Sequence, residues 1–240
     1  MAGSATGVAR LRPYWRLNMP YCVSDLIAGH VSIQRNLVQV GMRRMNPDDL
    51  EDIFAKGLEK LRTTATDKRD AWSLPRGFPQ YAHLLAQEGA RQSLMISSET
   101  EITDGTMFRG LTIGLDKIDH TLAEAFDKAT YTAVPSRFAD VLSACAVVRP
   151  DPDGFVSPAD LREPYSALIG QRVDISRFTK QLGQLSQGRG QVLHRKGPER
   201  ARRYRFADPL MEPYVLIKGT TTGKITLDML PVDSPGQRGG

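Results

Sequence analysis

Apolar and polar positions change their rhythm along the chain. From Asn46 to about residue 133 apolar residues recur at helical intervals, whereas from Gln191 to Phe206 they alternate with charge. The first helix signal is compact. Asn46 is placed to cap, Pro47 suits the first helical position, and Asp48 and Asp49 face the positive end of the helix dipole. Met45 and Leu50 predict a hydrophobic staple. Leu50, Ile53, Phe54, Leu58 and Leu61 then form one apolar stripe. The polar stretch RTTATDKRD reads as a connection or a weak helix. Gly77 and Pro79 introduce a second helix that buries Tyr81, Leu84, Leu85 and Leu94 and reaches about Ser97. Thr103 caps a further helical region, with Ile113, Ile118, Leu122, Phe126 and Tyr131 as core contacts and a break or kink expected at Gly110 and Gly114.

Pro135 and Ser136 mark a boundary. Ser136–Val148 reads as a helix with Phe138, Val141, Leu142 and Cys145 on one side, and the turn RPDPDG follows it. Ser157 and Pro158 open a second helix with Leu161, Tyr165 and Leu168 inside. Asp174 or Ser176 opens a third, with Phe178, Leu182 and Leu185 buried. After the Gly188 turn, Val192, Leu193, Tyr204 and Phe206 alternate with charge, as a half-buried hairpin requires. A final element from Asp208 to Lys218 docks back on the core. Three helices followed by a two-stranded wing is the winged-helix order. Ahead of Asn46, Leu37, Val38 and Val40 suggest one short buried strand after an irregular start. The reading is mainly α in four parts: 1–45, irregular; 46–133, helical; 134–227, three helices plus a β-hairpin; and 228–240, a frayed, disordered tail.

Charge sharpens this picture. The chain of 240 residues carries a net charge of +5, which would mean little if spread evenly. Arg189, Arg195, Lys196, Arg200, Arg202, Arg203 and Arg205 instead crowd the hairpin, with Glu199 as the local acid. Dense local positive charge favours a polyanion such as nucleic acid, the alternative being a solvated basic face. On the third helix, Arg177, Lys180, Gln181 and Gln184 are expected to point outward. Arg and Gln make bidentate contacts to base edges, while Lys and the wing arginines neutralise phosphates. The expected DNA-binding set is therefore Arg177, Lys180, Gln181, Gln184, Arg195, Lys196, Arg200, Arg202, Arg203 and Arg205.

Other chemistry finds little support. Gly219–Thr226, GTTTGKIT, has three residues between its glycines where a phosphate loop needs four, and Ile225 stands where a magnesium-binding hydroxyl belongs. His30, His83, His120 and His194 are isolated and lack zinc-site spacing, so no metal is expected. Cys22 and Cys145 imply no disulfide framework and fit a reducing cytoplasm. Cys145 reads as a small core hydrophobe. No apolar run approaches the roughly 20 residues that span a bilayer, so no membrane partner is expected.

Three segments in order, HVSIQRNLVQVGMRRMNPDDLEDIF, GFPQYAHLLAQEGARQSL and GQVLHRKGPERARRYRFADPLMEPYVLIKG, together resemble the C-terminal half of a bacterial AAA+ ATPase. The group is the one similar to the archaeal origin-recognition initiators, and the resemblance covers roughly residues 24 to 227. It implies the end of an ATPase core, an all-helical lid and then a winged helix. It also implies a role for Arg35, in SIQR, as a trans-acting arginine finger in a neighbour's nucleotide site; a surface or interdomain salt bridge is the alternative. The family's second sensor is an arginine a few residues into the helix near Gly77. Here Gln80 and Tyr81 stand in that neighbourhood, with Arg76 just before.

The family's phosphate loop and magnesium-binding acids lie upstream of anything here. The expectation is a truncated gene product, half of a split ATPase, or a module that kept only lid and wing. ATP and magnesium are implied for the full-length family but no cofactor for this chain, which is not expected to be an enzyme alone. The implied partners are DNA and an ATPase core on a partner chain or ring neighbour. A stand-alone winged-helix transcription regulator and a protein-interaction module are the alternatives.

Overall fold

The computed structural model describes residues 44–65, 73–96, 101–118, 120–133 and 136–231. The chain divides into the units Met1–Arg43 and Arg44–Gly240, and the described residues belong to the second. Arg35 and the strand expected at Leu37, Val38 and Val40 lie outside the described residues, as do Ser97, Pro135 and residues 232–240.

The architecture is mainly helical. Helix α1, Pro47–Leu61, begins where Asn46 Oδ1 accepts the Asp49 amide at 2.7 Å, and Arg62 ends it in the left-handed conformation at φ 53°. Strand β1, Thr64–Ala65, lies in RTTATDKRD and pairs in parallel with β2, Glu101–Ile102, giving a two-residue ladder that the polar text does not announce. Helices α2, Pro79–Ile96, and α3, Asp104–Lys117, pack along each other. Gly110 does not kink α3. A Cβ there would stand 2.6 Å from the Gly89 backbone nitrogen, so this glycine lets the two helix backbones approach. The helical region expected after Thr103 divides at Ile118, whose extended backbone separates α3 from α4, His120–Thr130.

Helices α5, Phe138–Val147, α6, Pro158–Ile169, and α7, Ser176–Gln187, follow. Ser157 and Asp160 form a reciprocal capping box, Pro158 takes the first position of α6, and Gly170 closes it with φ 70°. Strands β3, Leu193–Lys196, and β4, Arg203–Phe206, make the antiparallel hairpin, in the register Leu193 to Phe206 and Lys196 to Arg203. The element expected at Asp208–Lys218 is helix α8, Met211–Thr221, buried on nearly every side. It packs on α3, α4 and α5.

One hydrophobic cluster includes Leu50, Phe54, Tyr81 and Leu122 as well as Val141, Leu182, Tyr204 and Leu216, so it crosses the Pro135 boundary. The packed chain continues through the turn Leu227–Met229 to the buried Leu230, past the expected start of the tail. Leu61, Leu94 and Tyr131, expected inside, are exposed. Each sits at or beyond a helix end, where the apolar stripe outruns the surface that covers it.

Candidate nucleic-acid interface

The hairpin is held by its inner face. Leu193, Tyr204 and Phe206 are buried there, against a core that includes Phe178, Leu182 and Leu185 of α7. A third strand position completes the sheet. The Val156 amide donates to the Tyr204 carbonyl at 2.7 Å, and the Tyr204 amide donates back at 2.8 Å. Beyond the ladder the chain reverses through Gly197, at φ 88°, and the 3-10 turn Glu199–Ala201. A Cβ at Gly197 would stand 2.6 Å from the Ala201 carbonyl oxygen, so this tight tip requires glycine.

The cations that crowd this region in sequence divide by environment. On the outer strand face Arg203 is ion-paired with Asp151, and Arg205 Nη1 donates to the Asp153 carbonyl at 3.2 Å. Phe155 lies beneath them, with the Arg205 guanidinium 4.6 Å and the Lys196 ammonium 5.5 Å from its ring centre. Arg202 pairs with Glu199 at 3.4 Å, a contact open to solvent and correspondingly weak. Arg189 is structural. Its Nη1 donates to the Ala129 and Tyr131 carbonyls at 3.1 and 2.9 Å, at the end of α4, and its guanidinium stacks 4.0 Å from the Phe138 ring centre.

Arg195 and Arg200 are exposed and make no ion pair or hydrogen bond among the described residues. Arg177, Lys180 and Gln184 are likewise exposed on one side of α7, opposite the buried Phe178, Leu182 and Leu185. Gln181 departs from the expectation of an outward side chain. It is half-buried and its Oε1 is shielded from water, because it turns toward the flank of the apolar stripe. The free set is thus Arg177, Lys180 and Gln184 on α7 with Arg195, Lys196 and Arg200 on the hairpin.

Two residues missing from the hairpin's own text meet its outer face, Asp151 through its carboxylate and Asp153 through its backbone carbonyl. They come from RPDPDG, between α5 and α6. Asp151 Oδ1 accepts the Asp153 and Phe155 amides, both at 2.9 Å, and fixes this turn. Burial, with the nearby Arg205 charge adding to it, lowers the pKa of His194; burial raises that of Tyr204, with Arg202 opposing.

A second cluster of charge lies where the helical segments meet. Arg76 Nη2 donates to the Ala146 and Val147 carbonyls at 2.9 and 2.8 Å, at the negative end of α5. Its Nε lies 3.5 Å from Glu212 Oε1, and Arg44 reaches Glu212 Oε2 at 2.8 Å. The Glu212 carboxylate, on α8, is nearly inaccessible. Tyr81 is buried and its hydroxyl donates to the Leu210 carbonyl at 2.9 Å; Gln80 is exposed. Cys145 lies in the core, and burial, with Glu212 adding, pushes its pKa up to about 12.

GTTTGKIT ends a helix instead of opening one. The Gly219 carbonyl accepts the Lys224 and Ile225 amides at 2.9 and 3.0 Å, Gly223 is left-handed at φ 68°, and Lys224 pairs with Asp140 at 2.6 Å. Its amides therefore close a helix C-terminus, the electrically opposite end from an anion cradle. Among the described residues no group of three or more His, Cys, Asp or Glu side chains is arranged to hold a metal, and no helix is long and apolar enough to cross a membrane. Comparison with protein-family models, curated proteins and solved structures finds no match.

Proposed function

We propose that residues 44–231 are the lid and winged-helix portion of an AAA+ ATPase, and that the winged helix binds duplex DNA. The observation that carries this reading is an order of elements. Helix α5, the Val156 bridge strand, helices α6 and α7, and the hairpin β3–β4 follow one another, with Val156 paired to the second hairpin strand. That order supports the winged-helix reading, in which α7 is the recognition helix. Unpaired Arg177 and Lys180 on α7, and Arg195 and Arg200 on the hairpin, supply charge for the phosphate backbone. Gln184 offers an amide for a base edge.

Helices α1–α4 correspond to the lid in this reading, and the core comes from outside the described residues. The Arg76–Glu212–Arg44 cluster, in which Glu212 is buried and Arg44 is exposed, would tie lid to winged helix in this reading. Arg35 is assigned the arginine finger of a neighbouring nucleotide site, and ATP chemistry belongs to the core. The test is fluorescence anisotropy with a labelled duplex of mixed sequence. The wild-type chain should bind, and the joint replacement of Arg195, Lys196 and Arg200 by Ala should weaken binding to every sequence alike. Equal binding by both proteins would overturn the assignment of the hairpin. Phosphate release from ATP by the purified chain, persisting through repurification, would overturn the assignment of the chemistry to a separate core.

A further inference from the structure

Lys196 and Arg203 stand directly opposite each other in the hairpin ladder, the last pair before the tip. Like charges in that position repel. The repulsion is offset by the Asp151 carboxylate, which reaches Arg203 from the turn after α5. Asp151 is well placed for this. Its Oδ1 is fixed by the Asp153 and Phe155 amides, which leaves Oδ2 to meet the guanidinium. The Asp151 amide also donates to the Phe155 carbonyl at 2.9 Å, and the Val156 bridge ties the turn to β4. Arg203 remains half-exposed in the pair, so an external anion can approach it.

We propose that Asp151 is an internal stand-in for a DNA phosphate: it holds Arg203 in the absence of nucleic acid, and a backbone phosphate displaces it to bind between Lys196 and Arg203. This rests on the reading of the hairpin as a DNA-binding wing. A carboxylate and a phosphate oxygen satisfy a guanidinium in the same way. Arg203 therefore contributes to binding only after an intramolecular partner has been removed. Asp151 weakens the wing's grip on any duplex while keeping the unbound hairpin in order.

The test uses Asp151→Asn in the full chain. The substitution keeps an oxygen that can accept the Asp153 and Phe155 amides and removes the charge. Anisotropy with the mixed-sequence duplex should show binding roughly fivefold to tenfold tighter at about 0.1 M salt, with an unchanged salt slope, because the same phosphates are neutralised in both chains. In an Arg203→Ala background the same substitution should leave the affinity unchanged. Unchanged or weaker binding by Asp151→Asn with a folded hairpin would overturn the proposal, as would an equal tightening without Arg203. Should the variant misfold, the carboxyl carbon resonance of Asp151 in the wild-type chain decides. It should move toward that of a solvated carboxylate as duplex saturates the protein, and no movement at saturation refutes displacement. A wild-type chain that binds no duplex overturns the DNA reading itself, whereas binding without an Asp151 effect overturns this proposal alone.

Discussion

Arg76 and Arg200 are the same side chain in opposite circumstances. Arg76 is shielded, donates to two carbonyls at the end of α5 and meets the buried Glu212. Arg200 stands on an exposed turn with no such partner. The joint between the helical segments consumes its positive charge internally, and the hairpin leaves part of its charge free. An arginine-rich stretch is therefore not yet a polyanion site. Helix C-termini and buried acids compete for the same guanidinium groups, as Arg189 on the end of α4 and Arg203 on Asp151 illustrate.

The sharpest way to break this comparison is to remove one member of each kind. Arg76→Ala leaves Glu212 buried beside Arg44 alone and should cost about 3–5 kcal/mol in equilibrium urea unfolding, the range for breaking a buried ion pair. Arg200→Ala should change stability by no more than about 0.5 kcal/mol, as an exposed surface substitution. Comparable losses from the two would erase the distinction.

A middle-sized effect is expected away from both charged regions. Gly110→Ala pushes a methyl group into the α2 backbone and should cost about 1–3 kcal/mol, as overpacking does. At Gly114 the nearest atoms a Cβ would meet belong to side chains, Leu84 Cγ at 3.6 Å and Glu88 Cγ at 4.0 Å, so Gly114→Ala should be milder in thermal melts of the two variants. The smallest effect concerns pH. The folded-state pKa of His194 lies below its unfolded value of about 6.5. The unfolded chain therefore takes up its proton first as pH falls, and stability is lost as pH drops below that value and through the folded one. His194→Gln should reduce this acid sensitivity in melts recorded from neutral to mildly acidic pH, and unchanged sensitivity would exclude His194 as a source.

Local signals were legible where local physics decides the outcome. Asn46 with Pro47, Thr103, and Ser157 with Pro158 mark helix starts because a cap needs only its own neighbours. Tyr204 and Phe206 reveal the buried face of β4 by alternating with Arg203 and Arg205, whereas β3 buries only Leu193 and Val192 precedes the strand. What escaped notice depends on distant residues. Asp151 and Asp153 lie some fifty positions from Arg203 and Arg205, and nothing in the hairpin's text points to them. The adjacent Phe155 and Val156, one facing each side of the sheet, were the available hint of a third strand. Gly110 reads as a helix breaker because its value lies in the approach of another backbone, which periodicity along one helix does not encode. Gln181 borders the apolar stripe of α7, where helical spacing alone does not assign a side.

The proposed neutralisation of DNA phosphates by exposed cations on α7 and the hairpin can be read from the salt dependence of duplex affinity. If Arg177, Lys180, Arg195, Lys196 and Arg200 each meet one phosphate, log affinity should fall linearly with log salt with a slope of about −4.5. The joint Ala replacement of Arg195, Lys196 and Arg200 should bring the slope to about −1.8. A slope near zero, or one that the triple replacement leaves unchanged, would contradict the account.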